Sequence, residues 1–307
     1  KEWRMAKVLV VGLNPAWQIT LEFASFHWGQ VNRAEVRHEF VAGKGQNVAK
    51  VLSRFDHEAW LLQVIGGANG QRVEEALCRE GVHLLNVRVA LESRVCSTII
   101  DKATGQVTEL VEPFLVGPEE DAMRRALELI PSKPDSFDAV IYCGTVPDGM
   151  SPSLYLEIQR RVNPAFSVLD SFREIPRELL GTVSCLKINV QEFEELDKLD
   201  PGWVDRLDRR PAILLTDGPR AASLLADEEG KRQEWRFHLP RLENLQNPIG
   251  AGDTVTAAFA HYFLSGTPLS EAFRQALAVG SASCLTLMPG EYRDEDRRRI
   301  LEEIRTN

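Results

Sequence analysis

Runs of consecutive apolar residues alternate with stretches in which apolar positions recur every three or four residues, and the two patterns trade places along most of the chain. Residues 6–11 predict a buried strand, and 46–55 set Val48, Val51, Leu52 and Phe55 on one helical face. Residues 60–65 return as a strand that stops at Gly66-Gly67, with a helix expected from Gln71. Further strands are expected at 139–143, 166–169, 186–188 and 212–216, each with a helical pattern after it or nearby. This is the pattern of an α/β domain whose mainly parallel sheet is covered on both faces, with three or more of these strands parallel. Ligands of such a sheet gather beyond the carboxyl ends of its strands, where the chain places Gly66-Gly67, Gly144-Thr145, Asp170-Ser171, Asn189 and Asp217-Gly218.

Two segments, 17–41 and 87–112, break the alternation. Both carry short period-two runs, at 36–41 and 97–101, and the second contains a turn at Ala103-Thr104-Gly105. They are expected to pair as a small antiparallel lid over a ligand cleft, a trace that two surface hairpins would also leave. A lid of this kind has open edges and is a candidate homodimer surface. With no internal repeat or linker, residues 1–307 read as one domain, and 294–305 as a solvated amphipathic helix. The residues before Met5 are expected to be foreign to the natural chain.

The densest cluster of turn and helix signals is Asn247-Pro248-Ile249-Gly250-Ala251-Gly252-Asp253-Thr254, followed by Val255, Ala258, Phe259, Tyr262 and Phe263 at helical spacing. The unpaired N–H groups at such a helix start carry the positive end of the dipole and suit phosphate oxygens. Asp253 either caps the helix or stands as a general base beside an anion cradle. A second turn, Ala42-Gly43-Lys44-Gly45-Gln46-Asn47, also opens a helix. It lacks the six-residue dinucleotide fingerprint, and Lys44 has no Ser/Thr partner of a P-loop, so alone it reads as a tight turn with an exposed lysine.

Composition narrows the classes. The chain has 307 residues, 44% of them apolar and 26% charged, enough for a full core. A formal charge of -9 without a Lys/Arg-rich run argues against nucleic acid, and no apolar run reaches the length of a membrane span or signal-peptide core. Cys78, Cys96, Cys143, Cys185 and Cys284 form no C-x-x-C pair and read as reduced thiols of a cytoplasmic protein; the six histidines lack metal-site spacing.

Taken together, the two Gly-rich helix starts resemble the signatures of the PfkB, or ribokinase-like, family of carbohydrate kinases: Gly43-Lys44-Gly45-Gln46-Asn47 its N-terminal motif and Gly250-Ala251-Gly252-Asp253 its C-terminal one. The resemblance runs through Leu13-Asn14-Pro15-Ala16, Val31-Asn32-Arg33, Gly66-Gly67 with Gly70, Gly144-Thr145-Val146-Pro147, Lys187-Ile188-Asn189 with Glu192, and Thr216-Asp217-Gly218. Leu-Asn-Pro, Val-Asn-Arg and Gly-Lys-Gly most resemble the branch of 1-phosphofructokinases and tagatose-6-phosphate kinases.

The resemblance implies a three-layer α/β/α fold with a β lid and transfer of the γ-phosphoryl group of ATP, with Mg²⁺, to a primary hydroxyl of a ketose phosphate. Asp253 would be the base and the amides of Gly250, Ala251 and Gly252 the anion hole. Asn14, Gly43, Lys44 and Asn47 would bind the acceptor, and Arg94 the acceptor's own phosphate, a task suited to a planar fork of donors, although a surface arginine leaves the same trace. Lys187, Thr216 and Gly218 would lie at the nucleotide, with a helix over 278–288 in the adenine wall. Asn189 and Glu192 would manage Mg²⁺ through water, or else cap a helix.

Departures from the family pattern bear on the acceptor. Gln18 stands where the family usually has an Asp that meets sugar hydroxyls, Ala42 and Ala221 replace glycines, and Cys96 replaces a polar lid residue. Alternatives are therefore a kinase of an unphosphorylated sugar or nucleoside, and a sugar-phosphate sensor without catalysis; the intact Gly250-Ala251-Gly252-Asp253 argues against the sensor.

Overall fold

The computed structural model describes residues 5–114, 119–131, 136–171, 173, 175–228 and 230–307; the residues ahead of Met5 lie outside it. The strands are β1 (Lys7–Val11), β2 (Ala16–Phe23), β3 (Val36–Ala42), β4 (Glu58–Gly66), β5 (His83–Val89), β6 (Val95–Asp101), β7 (Gln106–Val111), β8 (Ala139–Cys143), β9 (Phe166–Asp170), β10 (Cys185–Asn189), β11 (Ala212–Asp217), β12 (Ala221–Glu228), β13 (Lys231–His238) and β14 (Arg305–Thr306). The helices are α1 (Lys44–Arg54), α2 (Gly67–Arg79), α3 (Glu119–Leu129), α4 (Ser153–Val162), α5 (Arg177–Leu180), α6 (Val190–Leu199), α7 (Ala251–Leu264), α8 (Leu269–Ser283) and α9 (Asp294–Glu303).

The main sheet runs β14-β13-β12-β11-β10-β9-β8-β1-β4-β5, and a second sheet runs β3-β2-β6-β7. From β11 to β5 every neighbouring pair is parallel. The side chains of these strands divide between two cores, as a sheet covered on both faces requires. Val8, Val10, Ala139 and Ile141 pack with α1, α7 and α8. Leu9, Val11, Val140 and Tyr142 pack with α3 and α4 on the other face. Each such aliphatic side chain contributes roughly 1.5–3 kcal/mol by leaving water, so a charge at Val10 or Val140 would break the layer it enters.

Local chemistry ends the helices where the layers need them to end. Past α1, Asp56 adopts a left-handed φ of 57°, and α4 stops at Asn163, φ 45°, whose N–H donates to Gln159 O at 2.9 Å. At the other end of α1, Gly45 lies against the last turn of β1. A Cβ built on Gly45 would sit 2.4 Å from the Gly12 Cα, so two glycine backbones touch and α1 starts directly over the carboxyl end of β1.

Several expectations are corrected. The second sheet is mixed, because β2 and β6 pair in parallel, Gln18 opposite Cys96. They leave the carboxyl ends of β1 and β5, which point the same way, so the strands that continue from them must also run together. Residues 87–89 belong to β5 at the edge of the main sheet. The strand 212–216 is followed by the antiparallel hairpin β12–β13, not by a helix. The helix expected from Gln71 already starts at Gly67. The helix expected over 278–288 stops at Ser283: Gln246 and Asn247 donate their N–H groups to Cys284 O, and the Asn247 side chain donates to Leu287 O. Finally, 294–305 is helical only to Glu303; its Ile300 is buried, and Arg305 joins β14 beside β13.

Candidate active site

The carboxyl ends of β1, β8, β9 and β10 and the N-termini of α1 and α7 converge at one place. Gly250, φ 80°, is the N-cap of α7. A Cβ there would fall 2.8 Å from Pro289 Cβ, so only glycine fits. Of the three amides expected in the anion hole, that of Ala251 donates to Pro248 O at 3.3 Å. Those of Gly250 and Gly252 have no acceptor among the described residues and face outward with the helix dipole behind them.

Asp253, in the first turn of α7, is 7% exposed. Its Oδ2 accepts from Asn47 Nδ2 at 2.8 Å, and its Oδ1 has no hydrogen-bond partner among the described residues. Burial pushes its carboxyl up to about 6, the neighbouring Asp170 carboxylate adds to the rise, and Lys44, Asn47 and Lys187 oppose it. A carboxyl so placed takes up and gives back protons near neutral pH.

Asp170, at the end of β9, is fully buried and is the residue that sequence reasoning left out of the site, naming it only as a polar strand end. Its Oδ1 accepts from Lys44 Nζ at 3.0 Å. Its Oδ2 accepts from the Thr256 hydroxyl at 2.6 Å and lies 3.3 Å from Lys187 Nζ. Burial alone would raise this carboxyl, but Lys187, Lys44 and Thr256 hold it down to about 2, and the same pairing drives the Lys44 ammonium well up. Lys187 Nζ would lie 2.9 Å from a Cβ at Gly252, which ties the glycine of the α7 turn to the lysine of β10. The available signal was an aspartate ending the otherwise apolar run Phe166-Ser167-Val168-Leu169.

Beside this cluster opens a cavity of ≈ 270 Å³ whose wall includes Asn14, Lys44, Gln46, Arg94, Arg173 and Glu192. Asn14 Nδ2 donates to the Thr145 hydroxyl at 3.2 Å, while its Oδ1 is buried without a partner. Arg94 donates from Nη2 to Asn14 O at 3.0 Å and from Nε to Pro15 O at 3.3 Å, so part of its fork is spent on backbone. Gln18 is not in the wall. Its Nε2 donates to the Thr98 hydroxyl on the neighbouring strand β6 at 2.8 Å. Gly43, φ 126°, is the N-cap of α1, and neither Ala42 nor Ala221 has a positive φ, so both alanines replace glycine without strain.

Asn189 and Glu192 form a reciprocal capping box on α6: Asn189 Oδ1 accepts from the Glu192 N–H at 2.8 Å, and Glu192 Oε2 from the Asn189 N–H at 2.9 Å. Glu192 also lines the cavity, which leaves Oε1 for another partner. No group of three or more His, Cys, Asp or Glu among the described residues is placed to hold a metal. A hard cation that keeps its waters and takes phosphate oxygens with one protein carboxylate fits this donor set; an all-protein cage does not. Thr216 pairs with Asn189 at the end of β11, and Gly218, φ 55°, turns the chain into β12. Neither they nor Asp253 line the cavity. Cys143, at the cavity wall, is no nucleophile, since burial pushes its thiol well up.

A buried carboxyl raised by its surroundings, open amides at a helix start and flanking ammonium groups suit phosphoryl transfer to an alcohol. Residues 5–291 match the pfkB family carbohydrate kinase profile, and the chain belongs to that family. It is 23% identical to a tagatose-6-phosphate kinase of Staphylococcus epidermidis over 97% of this chain and 98% of that one. It is 24% identical to a 1-phosphofructokinase of Borreliella burgdorferi over 97% of each. The fold is ribokinase-like. It superimposes on Escherichia coli phosphofructokinase-2, solved in complex with fructose-6-phosphate, with a TM-score of 0.79, 20% identity and coverage of 97% and 99%. As a family member it is an ATP-dependent phosphotransferase.

Proposed function

We propose that this kinase phosphorylates the primary hydroxyl of a ketose phosphate, of the fructose or tagatose series. The observation that carries the reading is Asp253, held by Asn47 beside the open amides of Gly250 and Gly252 and close to Lys44, which Asp170 fixes in the wall of the acceptor cavity. The names of the two relatives, both sugar-phosphate kinases, support the same acceptor class.

In this reading Asp253 Oδ1 takes the hydroxyl proton while Asn47 fixes Oδ2, and the amides of Gly250 and Gly252 hold the phosphoryl oxygens. Asn14, Gly43, Lys44 and Asn47 seat the sugar, and the remaining Nη1 of Arg94 with Lys44 meets its phosphate. Lys187, Thr216 and Gly218 flank ATP. Glu192, held by Asn189, would hold Mg²⁺ through water, and the ion would supply neutralisation of phosphate charge. The second sheet acts as the lid that keeps water from the phosphoryl group. Its edge residues Val36, Val107, Leu110 and Val111 are exposed, which supports a homodimer through that sheet. The free cysteines support a cytoplasmic setting, and among the described residues no helix is long and apolar enough to cross a membrane.

The test is ADP formation with MgATP across fructose 1-phosphate, fructose 6-phosphate, tagatose 6-phosphate, free hexoses and nucleosides, beside Asp253→Ala. Turnover confined to one phosphosugar and lost in the variant supports the reading; turnover only with a free sugar or nucleoside overturns the acceptor class. Binding of a phosphosugar with no turnover overturns catalysis and leaves a sensor.

A further inference from the structure

Asp170 touches neither cavity nor solvent, yet it holds the two ammonium groups nearest Asp253. We propose that Asp170 is the positioning residue of the transfer site: it fixes Lys44 and Lys187 as a pair, one at the wall of the acceptor cavity and one against the Gly252 turn, so that the phosphoryl group passes between two preset cations. The inference rests on the kinase reading above.

Its geometry divides the labour between the two carboxylate oxygens. Oδ1 takes Lys44 at 3.0 Å, and Oδ2 takes Lys187 at 3.3 Å. Neither lysine has another hydrogen-bond partner among the described residues, and the Thr256 hydroxyl, at 2.6 Å, locks the carboxylate from the core side. Lysine is a long flexible stem with a compact charge, so without an anchor the two ammonium groups would repel and scatter. A fully buried carboxylate adds little stability of its own, because desolvation offsets the attraction. Its return lies in order: two cations face one Asp170 carboxylate, and the surplus positive charge is aimed where an anion must pass. Neither lysine has to reorganise when charge develops in the transition state.

The same arrangement reaches Asp253. The charged and titratable groups around that carboxyl are Asp170 from β9, Lys44 and Lys50 from α1, Lys187 from β10 and Cys143 from β8. Removing the Asp170 charge leaves only attraction from the lysines, so Asp253 should ionise at lower pH.

The experiment is steady-state kinetics of wild type and Asp170→Asn with MgATP and the phosphosugar that turns over, at a series of pH values. Asparagine keeps the shape and an acceptor for Thr256. The expected result is a kcat lower by about 100-fold, KM values for both substrates within about threefold, and an acid limb moved to lower pH. A kcat within about threefold of wild type overturns the inference, as does a loss confined to KM or to the folded fraction with the acid limb unmoved. Should Asp170→Asn fail to fold, Lys44→Met, Lys187→Met and the double variant decide: effects on log kcat that fall short of additive support a pair held as one unit, and additive effects overturn it. A wild type that turns over no acceptor overturns the kinase reading and this inference together; an active wild type beside an undiminished Asp170→Asn overturns this inference alone.

Discussion

Asn47 and Asp253, 206 positions apart in the chain, meet through a single 2.8 Å hydrogen bond from Asn47 Nδ2 to Asp253 Oδ2. The bond stabilises the ionised carboxyl against the burial that raises it to about 6. Replacing Asn47 with Leu removes that donor at similar volume, so the carboxyl should ionise at still higher pH. The acid limb of kcat/KM should move up, with a loss near pH 7 of about tenfold or more. A pH–rate profile checks it; an unmoved limb would mean that Asp253 is not the base.

Asp253→Asn should separate activity from stability. Transfer should fall by about a thousandfold or more, within the range for loss of a positioned base. Because the carboxyl is raised in the folded protein from an ordinary 3.8, folding favours its protonated form, and the charge is a burden at any pH above about 6. That burden is absent from the amide. Thermal melts at pH 8 should show the variant more stable by roughly 1–2 kcal/mol, and melts at pH 4 should show no such gain.

The layers of the fold were legible because strands such as β1 and β8 are apolar at nearly every position, as two-sided burial requires. β13 was not, because Lys231-Arg232-Gln233-Glu234 faces solvent and carries no apolar face to read. The parallel pairing of β2 with β6 depends on where β1 and β5 end in space, which no local pattern encodes. The two glycine turns marked the site, since positive φ and close approach leave a residue-type signature. Asp170 left none: its role exists only when α1, β9, β10 and α7 converge. Gln18 shows the same limit from the other side. The resemblance marked it for the acceptor, but its hydrogen bond to Thr98 on the neighbouring strand β6 could not be read from the sequence.

Gly45→Ala should be among the most damaging small substitutions in the protein. The added methyl would meet the Gly12 backbone at 2.4 Å, and no side chain there can yield. We expect a loss of about 3 kcal/mol or a displaced α1, read in denaturant melts together with the KM for the sugar phosphate. An unchanged KM and midpoint would show that β1 and α1 part easily.

A histidine pair on the far side of α1 sets an acid limit. His57 Nδ1 accepts from the Ala6 N–H at 3.1 Å, so its Nε2 carries the proton and donates to His261 Nδ1 at 3.0 Å. Burial lowers both rings, His261 to about 4, and Phe55 stacks on His261 at 4.1 Å. A base lowered in the folded state is charged first in the unfolded chain. Stability is therefore full above about 6.5 and drains away as pH falls toward 4. The melting temperature should drop across that window, and less steeply in His261→Phe, which keeps the stack; parallel curves for the two proteins would sink the idea.

The second sheet is stitched to the body where β1 passes into β2, β3 into α1, β5 into β6, and β7 into the chain beyond. Because β2 and β6 lie side by side, these crossings are spread along one border rather than gathered at a point. A flap fastened along a border can swing like a door but cannot spin or slide. In the lid role proposed above, its free motion would be a single angle, and each partial opening would present the cavity with one aperture instead of many. Every position of such a gate would also be a step toward closure.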